Sequence, residues 1–441
     1  MKRIVKIGMV LFFAVLVLGQ VFAGGGGQAS GDKGSAGDSK TITWLHTGAG
    51  SQPTDWEQLV KPVLEKFYQE TGIRVVQEFY MHTDMFQVIE VKIGSGSKDY
   101  DVLGVDVPMV ASYATRGFLA PMDKYFTADE KKAFIPSALE AGSWQGVFYS
   151  PSILTSTQML WYNKDLLKQA GVTVRDSDVN NRLTYEEITE YARQALAKLD
   201  PNRTNGIGGI MFEQVSRTYQ MNALPNSMGE RSIGPDGFTV DGVINTPGWV
   251  KALTWYQNLY KDGLALRGFN ADEITNLFRS NKVLFLIAGS WNALGMATTN
   301  IDYGFAPVPA FKGFEDKVAT PTGSWHLGIN KYSTKQDAAA AFIKYFTIGE
   351  GNDLFIELSK NLPSKQAIID KMQNDPNTDP VDKIATYEAS HTAYPRALTP
   401  GFPEYTTIID AMWEDVRNGS DVKGSLDKAV REINSALSKY K

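Results

Sequence analysis

Residues 41–79 read TITWLHTGAGSQPTDWEQLVKPVLEKFYQETGIRVVQEF, and they indicate the fold class more directly than any other stretch. Thr41–His46 is β-branched and apolar, which is typical of a buried strand. Between Trp56 and Phe67 the apolar residues recur at helical spacing, and Ile73–Phe79 is again typical of a strand. A strand, a helix and a strand in this order predict a βαβ unit with parallel strands.

The same alternation continues through the chain of 441 residues, which at roughly 150 residues per domain is long enough for more than one core. Further strands are predicted at Asp101–Val105, Ile207–Met211, Val283–Ala288, Tyr303–Val308 and Trp325–Ile329. Thr184 and Glu187 are spaced as a capping box that opens the helix Ile188–Leu199. We therefore predict an α/β protein of more than one lobe, with ligands binding beyond the carboxyl ends of the strands.

Residues 1–23 have the pattern of a secretory signal peptide. A positively charged start is followed by the apolar segment Ile7–Leu18 and by a small-residue cleavage site that ends at Ala23. We expect cleavage after Ala23 and a flexible, Gly- and Ser-rich leader at residues 24–40, with an uncleaved membrane anchor as the alternative. Because the chain has no cysteine to carry a lipid, we expect the exported protein to be retained in a periplasm.

Several kinds of chemistry are excluded by composition and spacing. The chain has no cysteine, and none of its four histidines is paired at metal-ligand spacing. It lacks the nucleophile elbow and the phosphate-binding loop, and its net charge of −5 comes with no basic patch for nucleic acid. We therefore expect no cofactor, no metal and no nucleic-acid partner.

Motifs in a fixed order carry a resemblance to a known family. The most specific is LWYNKDLLKQAG at residues 160–171, and YDVLGVD at 100–106, GFLAPMD at 117–123 and FLIAGSW at 285–291 accompany it. Together they resemble the extracellular solute-binding proteins of ABC importers, in the sugar-binding branch that includes maltose-binding protein. The resemblance extends from about Thr41 to Tyr440.

The resemblance implies the two-lobe periplasmic-binding-protein fold of type II, in which hinge-linked lobes enclose a ligand cleft. It assigns residues 41–153 plus 309–333 to the N-terminal lobe and 154–308 plus 334–441 to the C-terminal lobe. It also implies a monomer without enzymatic activity that captures a small sugar and delivers it to the membrane subunits of an importer.

A sugar presents hydroxyl groups and flat C–H faces, so it needs hydrogen-bonding side chains and aromatic planes. Trp291 follows an apolar strand and falls on the family's stacking position, with core packing as the alternative. Its indole also carries an N–H that a ligand can use. Trp325 is a second candidate for stacking on the ligand, with a space-filling role as the alternative. Asp106, at the end of the DVLGVD strand, can accept two hydroxyl hydrogen bonds or cap a helix.

The other candidates lie in loops after strands, on the expected first crossover, or in segments that resemble the family's ligand loops. They are His46, Thr47, Ser156, Thr157, Tyr219, Ser324 and Arg396. Arg396 can bridge two ring hydroxyls or a ligand carboxylate, with a surface salt bridge as the alternative.

Two other functions stay open at this point. The same fold accepts polyols, phosphorylated glycerol, polyamines and peptides. A secreted carbohydrate-active enzyme is the alternative from another class, because paired carboxylates for glycoside hydrolysis cannot be dismissed from the sequence.

Overall fold

The computed structural model describes residues 40–48, 53–323 and 325–441. The predicted signal peptide, the leader up to residue 39 and Ser324 lie outside the described residues. Within the described part of the chain, no helix is long and apolar enough to cross a membrane.

Strands and helices are interspersed along the described chain. The strands are β1 (Thr41–His46), β2 (Arg74–Phe79), β3 (Val102–Asp106), β4 (Leu119–Ala120), β5 (Ser143–Trp144), β6 (Val147–Phe148), β7 (Ser152–Leu154), β8 (Gln158–Asn163), β9 (Gly208–Phe212), β10 (Val283–Gly289), β11 (Tyr303–Ala306), β12 (Thr320–Pro321), β13 (Trp325–Asn330) and β14 (Ala393–Tyr394).

The helices occupy most of the remaining chain. They are α1 (Pro53–Thr71), α2 (His82–Val88), α3 (Val110–Thr115), α4 (Ala128–Lys131), α5 (Pro136–Ala141), α6 (Lys164–Ala170), α7 (Tyr185–Leu199), α8 (Thr218–Met221), α9 (Ala223–Asn226), α10 (Pro247–Lys261), α11 (Ala271–Arg279), α12 (Ala293–Ala297), α13 (Gln336–Thr347), α14 (Glu350–Ser359), α15 (Gln366–Asn374), α16 (Pro380–His391), α17 (Phe402–Arg417) and α18 (Val422–Leu437). Thr184 and Glu187 form the predicted capping box at the start of α7.

The first lobe is built on a sheet with the order β2-β1-β3-β13-β4, in which β7 also pairs with β13. β1 and β2 run parallel and are connected by α1, which confirms the predicted βαβ unit. β13 enters from late in the sequence and runs antiparallel to β3. Its insertion brings Trp325 opposite Asp106 at the end of β3.

The second lobe is built on a sheet with the order β11-β8-β10-β9. β10, the central strand VLFLIAG, is buried along its whole length, which fits its unbroken apolar sequence. It runs parallel to β9 and antiparallel to β8. The carboxyl ends of β9 and β10 therefore lie side by side, with Glu213 directly after β9 and Ser290 directly after β10.

The predicted division into lobes needs a correction near residue 334. Helices α13 and α14 pack against α1, and α13 also packs on β7 and β13 of the first sheet. Phe342 and Phe346 of α13 each place their ring centroid 5.5 Å from that of Trp44 in β1. These contacts hold residues 336–359 on the first lobe, whereas the prediction placed 334–441 on the second.

The second correction concerns residues 309–311. The backbone N–H of Ala310 donates to the carbonyl of Leu183, and the N–H of Tyr185 donates to the carbonyl of Ala310. Phe311 also packs on Tyr185 of α7, with 4.5 Å between ring centroids. The chain therefore stays on the second lobe beyond the predicted return at residue 309.

Candidate functional site

Five side chains form one continuous set of contacts where the lobes meet. The interlobe cluster, as we call it, consists of Asp106, Ser156, Tyr219, Trp291 and Arg396. Asp106 ends β3 of the first sheet, Ser156 lies in the connection between β7 and β8, and Trp291 follows β10 of the second sheet. All five were predicted from the sequence, and the structure brings them together.

Asp106 and Arg396 form an ion pair between Oδ1 and Nη2. Their side chains are 17% and 12% exposed, respectively, so both charges are largely withdrawn from water. Asp106 precedes a short 3₁₀ turn at Val107–Met109, yet its side chain accepts no capping hydrogen bond there. Its carboxylate instead faces the loop before α17, a helix that packs with α8 and α10 on the second lobe.

Tyr219, on α8, connects this ion pair to the crossover. The guanidinium carbon of Arg396 lies 5.3 Å from the centroid of the Tyr219 ring. The hydroxyl oxygens of Tyr219 and Ser156 are 3.0 Å apart, and the Ser156 hydroxyl donates to the carbonyl of Gly323 at 2.7 Å. Because that bond uses the only hydroxyl proton of Ser156, Tyr219 donates to Ser156. Burial raises the pKa of Tyr219 to about 12, which keeps this donor protonated at neutral pH.

Trp291 is the exposed aromatic surface of the cluster. Its side chain is 43% exposed, and its ring centroid lies 6.0 Å from that of Tyr219. The indole lies over Gly289, where an added Cβ would be only 2.2 Å from the ring. Its Nε1–H donates to Glu213 Oε1 at 3.0 Å. The indole N–H that was predicted to be available to a ligand therefore already has an acceptor within the protein.

Glu213 was missed by the sequence analysis. Its Oε1 accepts hydrogen bonds from Trp291 and from the Asn292 side chain at 2.9 Å, and its Oε2 accepts from the Gly289 N–H at 2.9 Å. Burial raises the pKa of this carboxyl, and these three donors oppose the rise. A signal was available in the sequence, because Glu213 lies two residues after the predicted strand Ile207–Met211, at a strand end where ligands bind.

His46 and Thr47 do not join the cluster, because both side chains are buried in the first lobe. His46 is 3% exposed and stacks on Trp44 with 4.0 Å between ring centroids, while Phe79 meets it edge-on at 5.5 Å. Burial among these rings lowers the pKa of His46 to about 3. Thr47 is 2% exposed, so neither side chain offers an accessible surface.

Two of the remaining candidates, Trp325 and Thr157, border the cluster. Trp325 is partly buried and pairs with Asp106 across the first sheet. Thr157 is fully buried, and its carbonyl accepts the Ser290 N–H at 2.9 Å, which ties the Trp291 turn to the crossover. Ser324 lies outside the described residues.

The chemistry of the cluster suits binding. It offers aromatic faces, hydroxyl groups and one carboxylate paired with one guanidinium. Within the residues that the structure describes, no group of three or more His, Asp or Glu side chains is arranged to hold a metal ion. Two surface recesses of about 490 and 270 Å³ lie elsewhere, at the start of α13 and beside β14.

Comparison with known proteins places this geometry in context. The profile described as bacterial extracellular solute-binding protein matches residues 23–347. Maltodextrin-binding protein MdxE of Bacillus subtilis is 22% identical over 429 residues, with 96% of each chain covered. The sn-glycerol-3-phosphate-binding periplasmic protein UgpB of Rhizobium meliloti is 23% identical over 425 residues, which cover 90% of this chain and 93% of that protein.

Solved structures share the fold. The cyclic alpha-maltosyl-1,6-maltose binding protein from Arthrobacter globiformis matches with a TM-score of 0.76 at 18% identity, over 90% of this chain and 99% of that one. The two-lobe architecture predicted from the sequence is thereby confirmed.

Proposed function

The chain belongs to the bacterial extracellular solute-binding protein family, and from this premise we propose that it captures a small carbohydrate at the interlobe cluster and delivers it to the membrane subunits of an ABC importer. The observation that carries the proposal is the juxtaposition of the half-exposed Trp291 ring with hydroxyl and charged partners from both lobes. An aromatic face suits the C–H face of a sugar ring, and the polar groups suit its hydroxyls. The carbohydrates named for MdxE and for the Arthrobacter protein agree with this chemistry.

The charge balance of the cluster favours an uncharged ligand. Arg396 is paired with Asp106, so together they contribute no net charge. A phosphorylated ligand, as named for UgpB, needs cationic groups that are free to face it, and a polyamine needs free carboxylates. Hydroxyl groups can accept from the guanidinium and donate to the carboxylate without a change in net charge. A neutral sugar is therefore the ligand class that we propose.

Ligand capture by this cluster requires the lobes to move. Asp106 and Arg396 contact one another directly, and they lie on different lobes. We propose that the lobes part at the connections around Ser156 and Gly323, and that a ligand touching both lobes stabilises the closed form. Micromolar affinity corresponds to about −8 kcal/mol, which a few charge-assisted hydrogen bonds and one stacking contact can supply after ordering costs.

A thermal-shift screen of the purified chain tests the ligand class. Maltose, maltotriose and longer maltodextrins are compared with glycerol 3-phosphate, spermidine and a short peptide. A neutral oligosaccharide should raise the melting temperature with increasing concentration, because it binds only the folded state. A shift with glycerol 3-phosphate or spermidine and none with any sugar would reject the proposal. Bound sugars should also be recovered intact, since we propose binding without turnover.

The location and assembly of the protein complete the proposal. We propose export with cleavage after Ala23, retention in a periplasm and a monomeric state. Mass spectrometry of the protein recovered from the periplasmic fraction should show Gly24 as the first residue. Sedimentation should give the mass of one mature chain, and recovery of the uncleaved chain in the membrane fraction would contradict the export proposal.

A further inference from the structure

Trp291 is fixed on two sides, although nearly half of its side chain is exposed. Gly289 leaves room for the ring to lie flat on the backbone, since any Cβ there would collide with it at 2.2 Å. Glu213 holds the far edge by accepting the indole N–H at 3.0 Å. An exposed tryptophan without such contacts would sample several rotamers and would have to be ordered when a ligand stacks on it.

The Glu213 carboxylate is itself held in a rigid setting. It is 8% exposed, and its two oxygens accept from Trp291, Asn292 and Gly289. The backbone N–H of Glu213 donates to the carbonyl of Ile287 at 2.9 Å, which continues the pairing of β9 with β10. A buried carboxylate is tolerated only with such partners, and they leave it one orientation.

We propose that Glu213 is a positioning residue for ligand binding: its carboxylate fixes the Trp291 indole in the orientation that stacks on the ligand, without touching the ligand. This inference rests on the proposed carbohydrate function. The inference adds that the affinity for the ligand depends on the buried carboxylate of Glu213, which holds the stacking surface from beneath. The ligand meets the face of the indole, since the N–H edge is occupied by Glu213.

Glu213→Gln is the direct test because it keeps the shape and removes one acceptor. A glutamine has a single acceptor oxygen, so its amide group must face at least one of the three N–H donors. Trp291→Phe removes the indole N–H and keeps an aromatic ring. Asp101→Asn is the matched control. Asp101 is also a buried carboxylate, 3% exposed, and it accepts from the Thr43 N–H and the Ser333 hydroxyl at the opposite end of β3.

The first readout needs no ligand. In protein labelled on tryptophan nitrogen, the Trp291 indole signal is identified by its loss in Trp291→Phe. Glu213→Gln should shift this signal, because the indole N–H then donates to a neutral amide oxygen or faces an amide N–H, and the charged acceptor is lost in either case. The signal should stay unchanged in Asp101→Asn. An unchanged Trp291 signal in Glu213→Gln would overturn the inference.

The second readout is sugar affinity by calorimetry, using the sugar that gives the largest thermal shift. Glu213→Gln and Trp291→Phe should each weaken binding about tenfold, and the double variant should be no weaker than Trp291→Phe. Asp101→Asn should bind within about twofold of the wild type, even if it melts earlier. The inference would be overturned by normal affinity in Glu213→Gln, or by a double variant whose loss of affinity equals the product of the two single losses. In either case, sugar binding by the wild type would leave the proposed function intact. A wild type that binds no sugar would remove both together.

Discussion

Two strand ends, one in each lobe, differ in how far their side chains are exposed to solvent. β1 ends at His46 and leads into a loop that begins at Thr47, and the loop after β10 carries Ser290 and Trp291. Both follow the carboxyl end of a buried strand, and the sequence predicts ligand contacts from both. Yet His46 is 3% exposed within a group of aromatic rings, whereas Trp291 is 43% exposed at the junction of the lobes.

The difference comes from what packs beside each loop. His46 lies on the same face of its strand as Trp44, and that face is covered by Trp56 of α1 and by the phenylalanines of α13. Trp291 is in a turn that leaves its sheet, and Gly289 and Glu213 hold its ring at the surface. A position at a strand end therefore places a residue near the rim, and its neighbours decide whether it is accessible.

Trp44→Ala should give the largest effect among the changes that probe this comparison. Trp44 is 1% exposed and contacts His46, Trp56, Phe342 and Phe346, so its truncation leaves a cavity. We expect a loss of about 3–5 kcal/mol in the free energy of unfolding, measured by urea denaturation. A loss below about 1 kcal/mol would mean that this aromatic group is not a packed core.

The pH dependence of stability tests the burial of His46. Its pKa falls to about 3 in the folded state, against about 6.5 when unfolded, so the unfolded chain binds more protons below pH 6.5. The stability that this histidine provides is complete above pH 6.5 and is lost as the pH falls towards 3. At about pH 4.5 we expect the free energy of unfolding to be about 3 kcal/mol lower than above pH 6.5 because of this histidine.

Urea denaturation at neutral pH and at about pH 4.5 measures that loss. The buried His326, whose pKa burial lowers to about 4, contributes a similar term. His46→Gln should therefore reduce the slope of stability against pH and not abolish it. An unchanged slope in this variant would place His46 in a solvated setting.

Trp291→Ala should show that the loop after β10 matters for ligand binding more than for stability, unlike the end of β1. Because the ring is half-exposed, we expect a change of about 1 kcal/mol or less in the free energy of unfolding. Loss of the stacking surface should weaken sugar binding by about 2 kcal/mol or more, measured by calorimetry. Collapse of the ligand-free fold would instead assign Trp291 to the core.

Tyr219→Phe should give the smallest effect. It removes the hydroxyl that donates to Ser156 and keeps the ring beneath Arg396 and beside Trp291. We expect sugar affinity to fall by about 0.5–1.5 kcal/mol, since one hydrogen bond near the ligand is lost. A loss as large as that of Trp291→Ala would mean that the hydroxyl binds the ligand directly.

Local pattern was sufficient for several of the longer elements. The apolar β10 strand, the capping box at Thr184 and the first βαβ unit follow from side-chain periodicity and capping chemistry, which act between residues close in sequence. The placement of α13 did not follow. Its apolar face fits either sheet by pattern, and only its tertiary contacts, with Trp44 and with α1, β7 and β13, assign it to the first lobe.

The sequence by itself determined the α/β class, the order of strands and helices, and the residue types that carry the candidate site. Only the tertiary structure decided that Arg396 pairs with Asp106 nearly three hundred positions earlier, that Glu213 holds Trp291, and that His46 is enclosed. The physical reason is range. Propensity and capping act over a few neighbouring residues, whereas ion pairing, burial and stacking depend on which distant segments the folded chain brings within contact distance.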